Sequence, residues 1–499
     1  MPSELDPLLP SNPPAPEIRG YGYSTGKEIV ADSTSSEPWG FVQHEQDLDE
    51  EEDQDNEDDS QSFSSAKSAL STLGSIFAIV VLFAFIVLVL SPEAEDDKPI
   101  PLPRNPSTID ERVSAILDGT PLIDGHNDLA IFVRAVYKNK LHGDFQHKFA
   151  KGGLEADVDL PRLKKGKVGG AFWSAFVVCP EDASDDFSDE TYATEVFHTL
   201  SQIDLIRRIQ NQYPSHFTFA TTPLSSALTN FHATKALISP ISIEGLHQIP
   251  QSAPLSTLRL YHALGVRAAT LTWNCHNAFA DAALVSSRGK TTVAGYHRGG
   301  LTPAGRDVIR EMNRLGLLID ISHTSYWTQK SVLSNGTSSA PVIFSHSSAF
   351  AICPHPRNVE DDILELVKQT KSLVMINFSP GFISCLPPPN SSVLPEFYDK
   401  NNTVHQVARH IIYVGEKIGY DYVGLGSDFD GMGDLTPRGL EGVDKYPNLV
   451  AELLKNGVSD QDAAKIVGRN LLRVWQAVDS VARELQEKTL EGEDEVSGW

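Results

Sequence analysis

Short apolar runs alternate with amphipathic stretches from residue 108 to 485, the pattern of buried parallel strands separated by helices. Eight runs read as strands: PLIDGHNDL (121–129), GGAFWSAFVV (169–178), SPISIEG (239–245), VRAATLTW (266–273), LGLLIDISH (315–323), APVIFSH (340–346), SLVMINF (372–378) and DYVGLGSDF (421–429). Between them, 302–314 and 359–371 carry helical spacing. A doubly wound open sheet would show the same alternation. The polar residues separate the two, because His, Asp or Glu repeatedly follows the apolar residues at the C-terminal end of a run. Barrel enzymes gather their catalytic groups there, so the pattern predicts an α/β fold with a (β/α)8 barrel of the TIM type.

Ahead of the barrel the pattern changes. Residues 68–92 hold no charge, and 73–90 read LGSIFAIVVLFAFIVLVL, long enough to cross a bilayer as one helix. The expected order is an acidic, disordered cytosolic tail (1–67), a transmembrane signal anchor (68–92), a Pro-rich stalk (93–107), the barrel (108–485) and an acidic C-terminal tail (486–499). That order implies a single-pass type II protein with its barrel in the lumen or outside the cell, on an endosomal, vacuolar or cell-surface membrane. Glycan acceptor triplets at Asn335, Asn390 and Asn401 favour the same side; Asn377 also matches but follows an apolar run and reads as buried. Glu4-Leu-Asp-Pro-Leu8-Leu9 has the form of an acidic dileucine signal for a sorting adaptor.

The charge is uneven. Lys and Arg number 41 against 66 Asp and Glu, a net of −25, and the acidic surplus is concentrated in the N-terminal tail. No basic face is visible, which excludes nucleic acid as a partner. Cys179, Cys275, Cys353 and Cys385 show no CxxC spacing, so they do not form a zinc ribbon, and an even number in a secretory chain suits two bridges.

The strand-end residues carry the candidate chemistry. His126 and Asp128 end the first run, Glu244 the third, His323 the fifth, His346 the sixth and Asp428 the last. Three imidazoles and three carboxylates at one end of a barrel suit zinc, and two ions sharing a carboxylate could activate water and polarise a carbonyl. Other chemistries drop out. His44-Glu45 has no second His at Leu48, Gly289-Lys290-Thr291 lacks the earlier Gly of a phosphate loop because Leu284 stands there, and no GxSxG elbow is present.

The chain resembles the membrane (renal-type) dipeptidases, zinc peptidases of the amidohydrolase-like barrel superfamily, over residues 108–480. The resemblance rests on IDGHNDL, ISIEG, LTPAGRDVIREMNRLGLLIDISH, PVIFSHSSAF with HPRNVEDDIL, and VGLGSDFDGM with KYPNLVAELL. It implies that His126 and Asp128 bind one zinc, His323 and His346 a second, and that Glu244 bridges them, with a hydroxide between the ions attacking the peptide bond of a dipeptide. It further implies that Arg357 holds the substrate carboxylate and that Asp428 contacts substrate and moves a proton. A surface ion pair with Glu360 or Asp361 is the plain alternative for Arg357. The cysteine pattern implies Cys179–Cys275 and Cys353–Cys385, with no fifth cysteine to cross-link a homodimer, so any dimer is non-covalent.

One position departs from the family. A histidine usually follows the LT of the fourth run, and here that residue is Trp273, with His276 three residues on as a possible substitute. The departure leaves two competing readings: a metal-stabilised binding scaffold with impaired catalysis, and a barrel amidohydrolase acting on a non-peptide amide.

Overall fold

The computed structural model describes residues 108–495, apart from 182–185, 335 and 434. The chain divides into two units, 1–91 and 92–499, and every described residue belongs to the second. The tail, the span at 68–92, the stalk and Asn335 lie outside the described residues. The expectation of a type II membrane protein on an endosomal, vacuolar or cell-surface membrane is corrected: among the described residues no helix is long and apolar enough to cross a membrane.

Each of the eight apolar runs coincides with a strand, to within one residue at the start of the second. They are β1 (Leu122–Asn127), β2 (Val168–Ser174), β3 (Ile241–Glu244), β4 (Val266–Thr270), β5 (Leu318–Asp320), β6 (Ile343–Phe344), β7 (Leu373–Ile376) and β8 (Val423–Leu425). All pair in parallel and in sequence order, from β1 to β8. The helix at Pro303–Leu315 starts where the sequence signals it, with the Thr302 side chain accepting from Gly305 N, Pro303 in the first turn, and Gly316 ending the helix at φ 81°.

The strand residues alternate between two environments. Leu122, Ile243, Ile319, Phe344 and Val374 belong to the larger apolar cluster, shared with the surrounding helices. Ile123, Phe172, Ala268, Leu318, Ile343 and Leu373 form a second cluster that continues onto Trp475 and Val478 of the C-terminal helix Asn470–Lys488. Two residues further along three of these strands, Ala268 gives way to Thr270, Leu318 to Asp320 and Ile343 to Ser345. The same face that is apolar low in the barrel is therefore polar at its C-terminal end.

The sheet closes between β1 and β8 through a short parallel contact. Asn127 bridges to Phe429, Asp128 N donates to Phe429 O (2.9 Å) and Asp428 N donates to His126 O (3.1 Å). Asp124 clamps this seam. Its buried carboxylate accepts from Ser427 N (2.7 Å), Ser427 Oγ (2.5 Å), Tyr446 Oη (2.7 Å) and His126 N (3.2 Å). Burial raises the Asp124 pKa, and the Ser427 and Tyr446 bonds oppose that rise.

Two hairpins decorate the C-terminal end: Leu284–Ser287 with Lys290–Val293 after β4, and Cys385–Leu386 with Glu396–Phe397 after β7. Disulfides join Cys179 to Cys275 and Cys353 to Cys385, as the resemblance implies, so the first ties the segment after β2 to that after β4. Asn390 and Asn401 are exposed, whereas Asn377 is fully buried. In the acidic C-terminal stretch, Asp494 accepts from Leu255 N and Ser256 N at the start of the helix Pro254–Leu264.

Asp124→Ala strands two hydroxyls and two backbone N–H groups in a buried seam, which should cost about 3 kcal/mol or more. Urea unfolding at neutral pH measures this, and a loss below about 1 kcal/mol would place the closure elsewhere.

Candidate metal centre at the barrel mouth

The six strand-end residues converge although they are spread from position 126 to 428. His126 lies in β1 and Asp128 just after it; Glu244 ends β3, and His323, His346 and Asp428 follow β5, β6 and β8. Their ligand atoms fall into overlapping groups: His126, Asp128 and Glu244; Glu244, His323 and His346; and His126, His346 and Asp428. Glu244 is shared by the first two. Its Oε2 lies 3.5 Å from His126 Nε2, and its Oε1 lies 3.0 Å from His323 Nε2 and 3.5 Å from His346 Nε2. Asp128 Oδ2 completes the first group at 3.1 Å from His126 Nε2.

Neighbouring groups decide which imidazole nitrogens carry hydrogen. Ser345 Oγ donates to Asp320 Oδ2 (2.6 Å), so it accepts from His346 Nδ1–H (2.8 Å). The side-chain oxygen of Asn274 accepts from His323 Nδ1–H (3.0 Å). Both Nε2 atoms then present bare lone pairs, yet they stand only 2.9 Å apart. Two lone pairs at that separation repel unless a cation lies between or beside them. Asp128 Oδ1 is buried with no hydrogen-bond partner. Gly431 preserves the room, since a Cβ there would lie 2.3 Å from Asp128 Oδ2 and 2.6 Å from Asp428 Oδ1. Two neutral imidazoles, a third imidazole, an orphaned carboxylate oxygen and a shared carboxylate fit a metal pair.

The supporting residues Asp320, Ser345 and Asn274 were not singled out from the sequence. Asp320 is the hub, accepting also from Thr270 Oγ1 (2.5 Å), Ser322 N (2.9 Å) and Ser345 N (2.9 Å). Its only sequence signal is an Asp two residues beyond Leu318 on the inward face. Backbone strain marks the same mouth, with His323 at φ 62° and Asp428 at φ 69°.

Arg357 is 2% exposed, and no ion pair joins it to Glu360 or Asp361. Its Nη1 and Nη2 reach Ser347 Oγ and His346 O only at 3.3 Å, and Nε has no partner. Burial lowers its pKa to about 10, opposed by Asp428, Glu244 and Asp320. A buried guanidinium with loose bonds is a site for an anion. Trp273 follows β4 with its ring 4.8 Å from Phe176 and 6.2 Å from His323, between centroids. His276 is engaged within the same loop: its ring stacks on His297 at 4.6 Å and its Nδ1 accepts from Ala282 N (3.1 Å).

Without metal the groups share protons unevenly. Burial lowers His323 and His346 well below the usual imidazole range, and Arg357 and His126 push the same way. Burial also works against a proton on His126, but Asp128 and Glu244 outweigh it and raise that imidazole well above its usual value. Burial pushes Glu244 up to about 7 against the pull of His126. It pushes Asp428 up to about 7 as well, with His126 and Asn377 opposing and the neighbouring carboxylates assisting.

Residues 110–489 match the family model described as membrane dipeptidase (peptidase family M19). A protein of Aspergillus oryzae named dipeptidase aclJ is 42% identical over 76% of this chain and 83% of its own length. An uncharacterized dipeptidase of Schizosaccharomyces pombe is 43% identical over 78% of this chain and 88% of that one. Among solved structures, the probable dipeptidase PvdM from Pseudomonas aeruginosa superposes with a TM-score of 0.63 at 21% identity, over 76% of this chain and 100% of that one. A Rhodobacter sphaeroides metallo peptidase, liganded with a phosphinate mimic of the dipeptide L-Ala-D-Ala, gives a TM-score of 0.58 at 24% identity, over 72% and 99%. The two structures share the barrel. The chain belongs to the membrane dipeptidase family and is a hydrolase of the metallopeptidase type.

The proton balance sets a pH test. The folded, metal-free values of Glu244 and Asp428 lie above unfolded values of about 4. Between about pH 4 and 7 these two groups therefore hold more protons in the folded chain than in the unfolded one, and they stabilise it less as pH rises. A cation held by Glu244 needs that carboxylate ionised and displaces its proton. The rise in melting temperature on adding zinc should be small near pH 5, grow through about 7 and level off above it. A thermal shift that stays flat across that range contradicts the assignment.

Proposed function

We propose, taking membership of that family as the premise, that the barrel is a zinc-dependent dipeptidase acting on dipeptides with a free C-terminal carboxylate. One observation carries the reading: a buried, loosely bonded Arg357 stands in the same mouth as an imidazole–carboxylate cluster built around Glu244. His126 and Asp128 would hold one ion, His323 and His346 the other, and Glu244 both. When bound, the pair supplies Lewis acidity and lowers the pKa of water toward neutrality.

The chain's own residues do the rest. The guanidinium of Arg357 pairs with the substrate carboxylate, which sets the distance from the C-terminus to the scissile bond and limits the substrate to one residue beyond it. Burial of that guanidinium among apolar and backbone groups strengthens the pairing, because little water competes. Asp428, whose carboxylate stands beside His126 and His346, can take up a proton and pass it to the leaving amine nitrogen. Asn377 Nδ2 donates to Asp428 Oδ2 (3.1 Å) and fixes the carboxyl group's orientation. Asp320, through Ser345, and Asn274 keep the His346 and His323 lone pairs turned inward.

Trp273 favours a second reading, a metal-stabilised binding scaffold, because an aromatic ring stands where the family places an imidazole. Buried Arg357 and an Asp428 set beside the imidazole cluster oppose it, since a scaffold requires neither. An amidohydrolase acting on a non-peptide amide would share the centre and Arg357, and differs only in the bond cleaved.

Metal-stripped protein should cleave no dipeptide, and added zinc should restore turnover. Glu244→Gln should lower zinc-restored turnover by about 10³ or more and reduce zinc below two ions per chain, measured by dipeptide hydrolysis and elemental analysis. Two firmly held zincs in that variant would rule out the shared role of Glu244.

Trp273→His should raise kcat by about tenfold or more with zinc content unchanged, provided the imidazole supplies an oxyanion donor. An unaltered kcat in Trp273→His, measured alongside a disabled His276→Ala, would assign the donor to His276.

A further inference from the structure

A cavity of about 580 Å³ opens at the same end of the barrel, and neither the Glu244 cluster nor Arg357 lines it. Its walls come from the segments that follow four successive strands: Tyr296 after β4, Trp327 after β5, Pro356 after β6 and Val393 after β7. Segments that leave the C-terminal ends of neighbouring strands share one mouth, so the cavity and the metal centre lie at the same end of the barrel. Part of the lining belongs to the chain segments that flank two site residues. Pro356 precedes Arg357, Ser325 lies two residues after His323, and Ala283 N, also on the wall, donates to His323 O (2.7 Å).

The lip is aromatic. Tyr296 is 75% exposed and Trp327 49%, and their rings meet edge to face with centroids 6.3 Å apart. Large aromatics held open to solvent around an apolar hollow are the composition of a recognition surface. The volume is ample for an indole ring.

We infer that this cavity receives the side chain of the substrate's C-terminal residue and selects bulky aromatic ones; the inference rests on the dipeptidase reading. With the carboxylate on Arg357 and the scissile nitrogen at the imidazole cluster, the C-terminal residue spans the interval between Arg357 and His323. Its side chain branches from that interval toward the chain segments that flank Arg357 and His323, and Pro356 and Ser325 of those segments line the cavity. A glycine in that place would leave the cavity filled only by water.

The test is kcat/KM of the zinc-loaded full chain on Ala-Gly, Ala-Ala, Ala-Phe and Ala-Trp. Ala-Trp should exceed Ala-Gly by roughly ten- to a hundred-fold, the scale of a buried aromatic side chain. Val393→Trp fills the hollow from its exposed lip and Trp327→Ala removes an aromatic wall. Each should cut kcat/KM for Ala-Trp about tenfold while leaving Ala-Gly within about twofold, and the intact Ala-Gly rate certifies that the variants fold. Equal rates on Ala-Gly and Ala-Trp, or a Trp-to-Gly ratio that neither variant alters, overturn the inference and leave the dipeptidase reading standing. Zinc-loaded protein that cleaves none of the four overturns both.

Discussion

The two oxygens of Glu244 face different imidazoles, Oε2 toward His126 and Oε1 toward His323 and His346, in a mouth that admits little water. Buried carboxylates repel one another, and the bare nitrogens of His323 and His346 repel at 2.9 Å. Each repulsion becomes an attraction once cations occupy the space between these groups. Such an arrangement persists only if the scaffold holds every member, because relaxation by a fraction of an ångström would relieve it without metal. Asp320 supplies much of that restraint through four hydrogen bonds from β4, the β5 end and the β6 end.

The barrel makes this possible by a simple change along its strands. A two-residue step keeps a side chain on the same face, so the inward row runs from Ala268 to Thr270, from Leu318 to Asp320 and from Ile343 to Ser345. The lower layer contributes apolar burial and the upper layer polar restraint. Asp124 links stability to chemistry, since the carboxylate that clamps β1 to Ser427 also accepts from the backbone of His126 and lies one residue from Gly125. Closing the seam and aiming the first imidazole are one event.

Much of this was legible in the sequence, for physical reasons. The eight strands announced themselves because buried parallel strands are apolar on both faces, and the site residues because each directly follows such a run. Asp320, Ser345 and Asn274 escaped notice because a polar residue near a strand end ordinarily caps a turn, and the pairs Asp320–Ser345 and Asn274–His323 are 25 and 49 positions apart. For Arg357 a surface pair with Glu360 or Asp361 was the lesser alternative to the role that the resemblance implies, and packing shows it buried beneath His346 O and Ser347. The cysteine spacing left the pairing open, and the fold closes Cys179–Cys275 and Cys353–Cys385. The membrane placement read from 68–92 drew on residues outside the described ones, and among the described residues no helix supports it.

Anomalous diffraction from zinc-loaded crystals at the zinc edge tests the central claim most directly. The account predicts two peaks, one beside His126 and Asp128 and one beside His323 and His346, each in contact with a different oxygen of Glu244. A single peak, or two peaks of which one does not touch Glu244, would contradict it.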